Sequence, residues 1–284
     1  MSAAAAIEQH TAAGRFFDAG GVRSFVREEG AGDAVVCVHG VPASAFLYRR
    51  LVPELAARGL RGVAFDLPGL GLAERPESFD YSWTGLGRWC VDAVEALGLG
   101  RFHLVVHDIG GPVGLELAAA LPERVASVTV LNTIGDVATF RRPWSMEPFA
   151  RRGIGEVYVA TMTKPAFLAL FRVQGARTTP RDEVYAYVDL LKRGDRGRAF
   201  LKIMRGFERT PEKSRLYRET LRAIPLRQIV WGRDDPALKL SVHGEQVREA
   251  AGLEEIIELP GKHFVQEDQP AAIAEHVAAL ALSA

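Results

Sequence analysis

An excess of either charge is missing from this chain: across 284 residues, 35 lysines and arginines balance 35 aspartates and glutamates. A balanced surface offers no broad field for nucleic acid, an anionic membrane or a polyanionic substrate, so the charges read as a solvated exterior. Cysteine is scarce as well, with Cys37 and Cys90 alone. Each falls in an apolar stretch where a thiol behaves as a small hydrophobe, and neither a CxxC pair nor a Cys/His metal spacing occurs. This argues against a disulfide framework or a zinc site and for a reducing, cytoplasmic setting. No apolar run is long enough to span a bilayer as a helix. Residues 1–6 are small and apolar but lack the basic lead of a signal peptide, and Glu8 and His10 soon follow. Residues 1–15 are therefore expected to form a disordered tail.

What is present is ordinary globular material, 48% hydrophobic and 25% charged, enough for one large core. After a leading hairpin around Gly20-Gly21, the run Ala34-Val35-Val36-Cys37-Val38 ends at His39-Gly40-Val41-Pro42. Gly62-Val63-Ala64-Phe65 likewise ends at Asp66-Leu67-Pro68-Gly69-Leu70-Gly71. Such runs suit strands buried on both faces of a parallel sheet. Helical periodicity at 48–58 and 84–97 separates them from the next strand, and further strands are expected at 125–131, 226–231 and 255–259. The economical architecture is a doubly wound, mainly parallel sheet. The alternation breaks over 135–217, where helical patterns at 149–161, 183–192 and 199–207 occur without a convincing strand. This stretch is expected as a helical insertion after the sixth strand, leaving 16–134 and 218–284 as the main domain.

One stretch carries most of the chemistry. Leu104-Val105-Val106 runs into His107-Asp108-Ile109-Gly110-Gly111, a buried strand, a sharp turn and a small-residue helix with Asp108 at the apex. In a nucleophile elbow, small flanking residues let the backbone turn tightly enough to expose the central side chain. Gly110 fits that pattern, and Val106 replaces the leading glycine. An Asp in this place also reads as a helix cap. The wider chain favours the nucleophile. Asp235 and His263 also lie just past strand ends, as does the His39 loop, and ligands of open parallel sheets sit at that edge. Nucleophile, acid and histidine then follow in the chain order of a hydrolase triad.

With these pieces the chain resembles the α/β-hydrolases of the haloalkane dehalogenase and epoxide hydrolase group, over nearly all of residues 16–283. The matching strings are His39-Gly40-Val41-Pro42, Asp66-Leu67-Pro68-Gly69-Leu70-Gly71, His107-Asp108-Ile109-Gly110-Gly111, Asp235-Pro236 and His263-Phe264-Val265-Gln266-Glu267-Asp268. The last is closer to dehalogenases than to epoxide hydrolases. The resemblance implies that the insertion is a cap over the active site, that no cofactor or metal is needed, and that the partners are a small apolar substrate and water. No nucleic acid or membrane is implied, and the chain is expected as a monomer or small homo-oligomer.

A carboxylate at the elbow is suited to displacing a leaving group from saturated carbon, which gives an alkyl ester on Asp108. His263 would activate water against that ester, Asp235 would orient His263, and the backbone N–H groups of Val41 and Ile109 would face the oxyanion. Related enzymes place the acid after either of two strands. Asn132 stands at the earlier position and cannot carry the charge, so Asp235 is chosen, with Asp234 as a neighbour that register leaves open. Dehalogenases of this group follow the nucleophile with a halide-binding Trp and many supply an Asn from the His-Gly loop; here those positions are Ile109 and Val41. Candidate substrate or leaving-group contacts are His39, His107, Trp144 and Tyr158. Two cap tyrosines would favour epoxide opening to diols, and Tyr185 and Tyr187 do not share a helix face. The expectation is a dehalogenase-like hydrolase, with epoxide hydrolysis, or hydrophobic-ligand binding with vestigial turnover, as alternatives.

Overall fold

Every position of Ala34–Val38 and Val125–Thr133 is buried, which is what continuous apolar runs become when helices cover both sides of a sheet. The computed structural model describes residues 2–283. Its eight strands are β1 (Arg15–Ala19), β2 (Val22–Glu29), β3 (Ala34–Val38), β4 (Arg61–Phe65), β5 (Phe102–Asp108), β6 (Val125–Thr133), β7 (Leu226–Gly232) and β8 (Ile257–Leu259). They form one sheet in the order β1-β2-β4-β3-β5-β6-β7-β8. The hairpin β1–β2 and the β2–β4 pair are antiparallel, and the remaining neighbours are parallel.

Helix α1 spans Ala3–Ala12, and α2 (Leu51–Ala56), α3 (Trp83–Ala96) and α4 (Gly110–Ala120) fill the crossovers of the first half. After the insertion come α11 (Glu245–Ala251), α12 (Val265–Asp268) and α13 (Pro270–Ala281). Strand alternation divides the core. Val36, Val38, Leu104 and Val106 face α3 and α4, whereas Val35, Cys37 and Val105 face α2 and α13. Both cysteines are buried and unpaired, in keeping with their reading as small hydrophobes.

The disordered tail expected for 1–15 is not what forms. Apart from Met1, which lies outside the described residues, this stretch holds Ser2, α1, a turn at Ala13-Gly14 and the first residue of β1. Alanine is the strongest helix former, and the Ser2 hydroxyl caps the start by accepting from the Ala5 N–H. Tertiary contact then holds it: the His10 ring sits 4.9 Å from Phe25 and 5.2 Å from Phe46. An alanine-rich helix has almost no apolar periodicity, so the pattern that reveals other helices is missing here.

Between β6 and β7 lie only helices among the described residues: α5 (Glu147–Ala150), α6 (Ile154–Thr161), α7 (Lys164–Gln174), α8 (Arg181–Lys192), α9 (Arg198–Arg205) and α10 (Pro211–Ala223). The single helix expected over 149–161 is broken into α5 and α6: Arg151 turns to an extended conformation after α5, and Gly153, with φ of 79°, opens α6. The expected boundary at 217 falls inside α10. That helix packs on the main domain through Tyr217, which donates to Glu116 of α4 at 2.7 Å, so we take the insertion to end ahead of α10.

A buried ionic cluster fastens the insertion to the sheet. Arg49 bonds Glu183 of α8 and both carboxylate oxygens of Glu267 in α12, Arg50 donates to Glu183 at 2.9 Å, and Tyr187 donates to Glu267 at 2.5 Å. With every member partnered, the cluster offsets its desolvation and fixes the position of α8.

Candidate active site

β5 ends at Asp108 with φ of 55°, a left-handed conformation that costs a non-glycine residue about 1 kcal/mol or more. Close packing maintains it. A Cβ on Gly40 would meet Asp108 Oδ1 at 2.2 Å, and one on Gly110 would meet the Val38 carbonyl at 2.2 Å. Val106, standing where a leading glycine is usual, is accommodated from the other side: a Cβ on Gly114 would meet its Cγ1 at 2.5 Å. The small residue needed between strand and helix has moved from the strand to α4.

The Asp108 carboxylate is divided between two sets of partners. Oδ1 accepts from the Val41 N–H at 2.8 Å, and Oδ2 lies 3.5 Å from His263 Nε2. Burial alone would raise its pKa. The hydrogen bond and charge of His263, with the Ile109 N–H, hold it below the usual carboxylate value instead.

His263 follows β8, and its backbone N–H donates to the Gln174 carbonyl at 3.1 Å. Its Nδ1 pairs with Asp235 Oδ2 at 2.8 Å. Burial opposes the imidazolium, but the Asp235 carboxylate and then Asp108 outweigh it, raising the pKa to about 10.

Asp235, in the turn after β7, is saturated with donors. Oδ1 accepts from the N–H groups of Ala237 at 2.8 Å and Leu238 at 2.9 Å, and Oδ2 accepts from Asn132 Nδ2 at 2.9 Å. Asp234 points away and pairs with Arg177 at 2.8 Å, so Asp235 is the carboxylate that meets His263. Asn132 is the residue sequence reasoning set aside for lacking a charge. At the end of β6 it binds Asp235 and also accepts from the Gly232 N–H at 2.8 Å, joining the acid to the sheet.

Two expected contacts do not reach the cavity. His39 is buried and acts as a staple: Nδ1 pairs with the Gly40 carbonyl at 2.9 Å and Nε2 with the Leu67 N–H at 3.0 Å. Its burial lowers its pKa to about 4. That bond ties the His39 loop to the Asp66 loop, where Asp66 accepts from Ala45 and Leu72, each at 2.6 Å. His107 is buried too, with Nε2 paired to the His263 carbonyl at 2.8 Å, and burial lowers its pKa to about 3. Both histidines bond backbone because strand-end positions carry loops that need holding.

Over Asp108 and His263 lies a cavity of about 510 Å³, closed mainly by apolar side chains such as Ile109, Phe149, Leu170, Met204 and Phe207. Trp144 reaches it from a largely solvent-exposed place, 76% accessible. Tyr158 lines it with its ring against Phe149 at 4.8 Å. Tyr185 and Tyr187 do not line it. Polar lining residues that sequence reasoning passed over are Arg142, Thr161 and Gln174. The Thr161 hydroxyl is spent on the Val157 carbonyl at 2.8 Å, whereas Gln174 has only its Oε1 engaged, by the Ser145 hydroxyl at 2.9 Å.

Comparison with known proteins points the same way. A family model described as alpha/beta hydrolase fold matches residues 33–270. Haloalkane dehalogenase 2 of Mycobacterium bovis is 29% identical over 272 residues, covering 92% of each chain. Bifunctional epoxide hydrolase 2 of Sus scrofa is 40% identical over 114 residues, which is 40% of this chain and 20% of that protein. The solved structure of haloalkane dehalogenase DbeA from Bradyrhizobium elkani superposes with a TM-score of 0.78 at 22% identity, covering 95% of this chain and 99% of that one.

Proposed function

The chain belongs to the alpha/beta hydrolase family and is a hydrolase, and from that premise we propose that it works through an alkyl ester on Asp108, as a haloalkane dehalogenase-like enzyme. The observation that carries the reading is the division of the Asp108 carboxylate. Oδ1 is held by the Val41 N–H, which leaves Oδ2, beside His263, as the oxygen that attacks carbon. As the new C–O bond forms, the bond to the leaving group breaks and its electron pair departs with that group.

Ester formation removes the Asp108 charge, and with it part of what keeps His263 protonated. The histidine pKa falls and a proton leaves, so Nε2 becomes a base when a base is needed. Nε2 then takes a proton from water, whose oxygen attacks the Asp108 carboxyl carbon. The negative charge collects on Oδ1, where the Val41 and Ile109 N–H groups each contribute about 3 kcal/mol. Collapse releases the alcohol and restores the carboxylate, while Asp235 holds the imidazole ring throughout.

Two observations bear on the leaving group. A relative matched over 92% of its length is named Haloalkane dehalogenase 2, which favours halide. Tyr158 lines the cavity and its hydroxyl makes no hydrogen bond among the described residues, which favours protonation of an epoxide oxygen as the second reading. The Gln174 amide N–H group makes no hydrogen bond to the protein and would serve a departing halide.

A panel of bromoalkanes, chloroalkanes and epoxides, assayed for halide and diol, tests the choice. Halide release is the expected result. Diol without halide would replace it with epoxide hydrolysis, and inactivity on all three with hydrophobic-ligand binding.

A further inference from the structure

Arg142 is the one lysine or arginine that lines the cavity among the described residues, and it is poorly compensated. Its side chain is 7% exposed. Of the five N–H donors of a guanidinium, one makes a hydrogen bond to protein, from Nη2 to the Met204 carbonyl at 2.6 Å. Nε is buried with no partner. The nearest carboxylate, on Glu147, stands 3.8 Å from Nη1, too far for a hydrogen bond, and is itself 42% exposed. The guanidinium carbon lies over the Phe207 ring, 4.5 Å from its centroid, and Phe140, Met146 and Met204 also line the cavity.

A cation in such surroundings is costly unless something completes it. The nearby charge of Arg209 adds to the burden: burial first, then Arg209, push the Arg142 guanidinium below its usual pKa. Neither Nη1 nor Nε makes a hydrogen bond to the protein. A planar anion fits the remaining N–H groups, because guanidinium binds carboxylate in a two-bond fork.

We propose that the substrate of this cavity carries an anionic group, a carboxylate in the simplest case, which binds Arg142 while the rest of its apolar chain extends toward Asp108. Asp108 is itself a carboxylate and repels an anion at the reacting end. Attraction to Arg142 and repulsion from Asp108, which line the same cavity, therefore orient the substrate, placing its neutral carbon against the nucleophile. The proposal rests on Asp108 being the nucleophile only for which end reacts; the anion subsite stands apart from that reading.

The test pairs terminal bromoalkanoates of about four to eight carbons with bromoalkanes of the same lengths, and compares kcat/KM from bromide release in the full-length protein. The wild type is expected to prefer the acids. Arg142→Gln is expected to lower the acid-to-alkane ratio by about tenfold to a hundredfold, the range of one charged hydrogen-bonding pair, and Arg142→Lys to restore part of it. Equal loss on both substrate series, or a wild type with no preference for the acids, would overturn the proposal and leave Arg142 a structural link to Met204. A second readout needs no turnover: calorimetric binding of octanoate and octanol. Loss of octanoate binding in Arg142→Gln with octanol still bound supports the subsite even if no bromide is released, which would count against the Asp108 reading alone. Unchanged octanoate binding overturns it.

Discussion

The sheet side and the cap side of the cavity are built differently. On the sheet side the polar groups around the Asp108 carboxylate are partnered: Asp108 by Val41 and His263, His263 by Asp235, Asp235 by Asn132 and two backbone N–H groups. Each sits at the end of a strand or in the turn beyond it, so the sheet sets their separations. On the cap side an apolar wall is interrupted by donors left partly free, namely Arg142, Tyr158 and Gln174. In the proposed mechanism the sheet side supplies the groups that make the bond, and the insertion side supplies the donors that would meet the substrate and its leaving group.

The largest effect is expected at the centre of the sheet side. Asp108→Asn should lower kcat by about a thousandfold or more, since residues acting as a unit fail together when the nucleophile is lost. Retained turnover in a folded Asp108→Asn protein would break the comparison at once.

Next in size is a pH dependence. The His263 pKa is raised above its ordinary 6.5 to about 10 by its two carboxylates. A raised folded-state value contributes stability that is fully present below the unfolded value and is lost as pH rises through the folded one. Denaturant titrations should show stability declining between pH 6.5 and about 10, and His263→Gln should flatten that decline. An unchanged slope in the variant would mean that His263 is not held as the cation.

Asn132→Ala sharpens the sheet side further. It removes one donor from Asp235 and leaves the Gly232 N–H without its acceptor, which should cost about 1–3 kcal/mol of stability. It should also lower kcat more than it raises KM, because the acid that positions His263 loosens. The smallest effect is expected on the cap side. Gln174→Leu should slow chloroalkanes more than bromoalkanes, by about tenfold or less, since the poorer leaving group depends more on a donor. Equal slowing would assign Gln174 to packing.

The same division explains what could be read from the sequence. Asp108, Asp235 and His263 each stand just past an apolar run, so local pattern places them at one sheet edge. Asn132 occupies an equally readable place, but its worth lies in a bond to a residue 103 positions away. Arg142 sits in the string Arg141-Arg142-Pro143-Trp144, which reads locally as loop punctuation. Gln174 ends α7, and although Thr163 caps that helix with Pro165 in its first turn, a cap marks where a helix starts and not what its last residue faces. Which of these faces a cavity is decided by how the insertion packs, and no short-range periodicity carries that. Helix α1 was hidden for the same reason, its place being set by Phe25 and Phe46 rather than by its own alanines.

A covalent ester at Asp108 is the central proposal, and mass spectrometry of His263→Gln after incubation with a bromoalkane tests it most directly. With the base removed, the first step should proceed and the second stall, so the peptide containing Asp108 should gain the mass of the alkyl group. Substrate consumption with no such adduct would contradict the account.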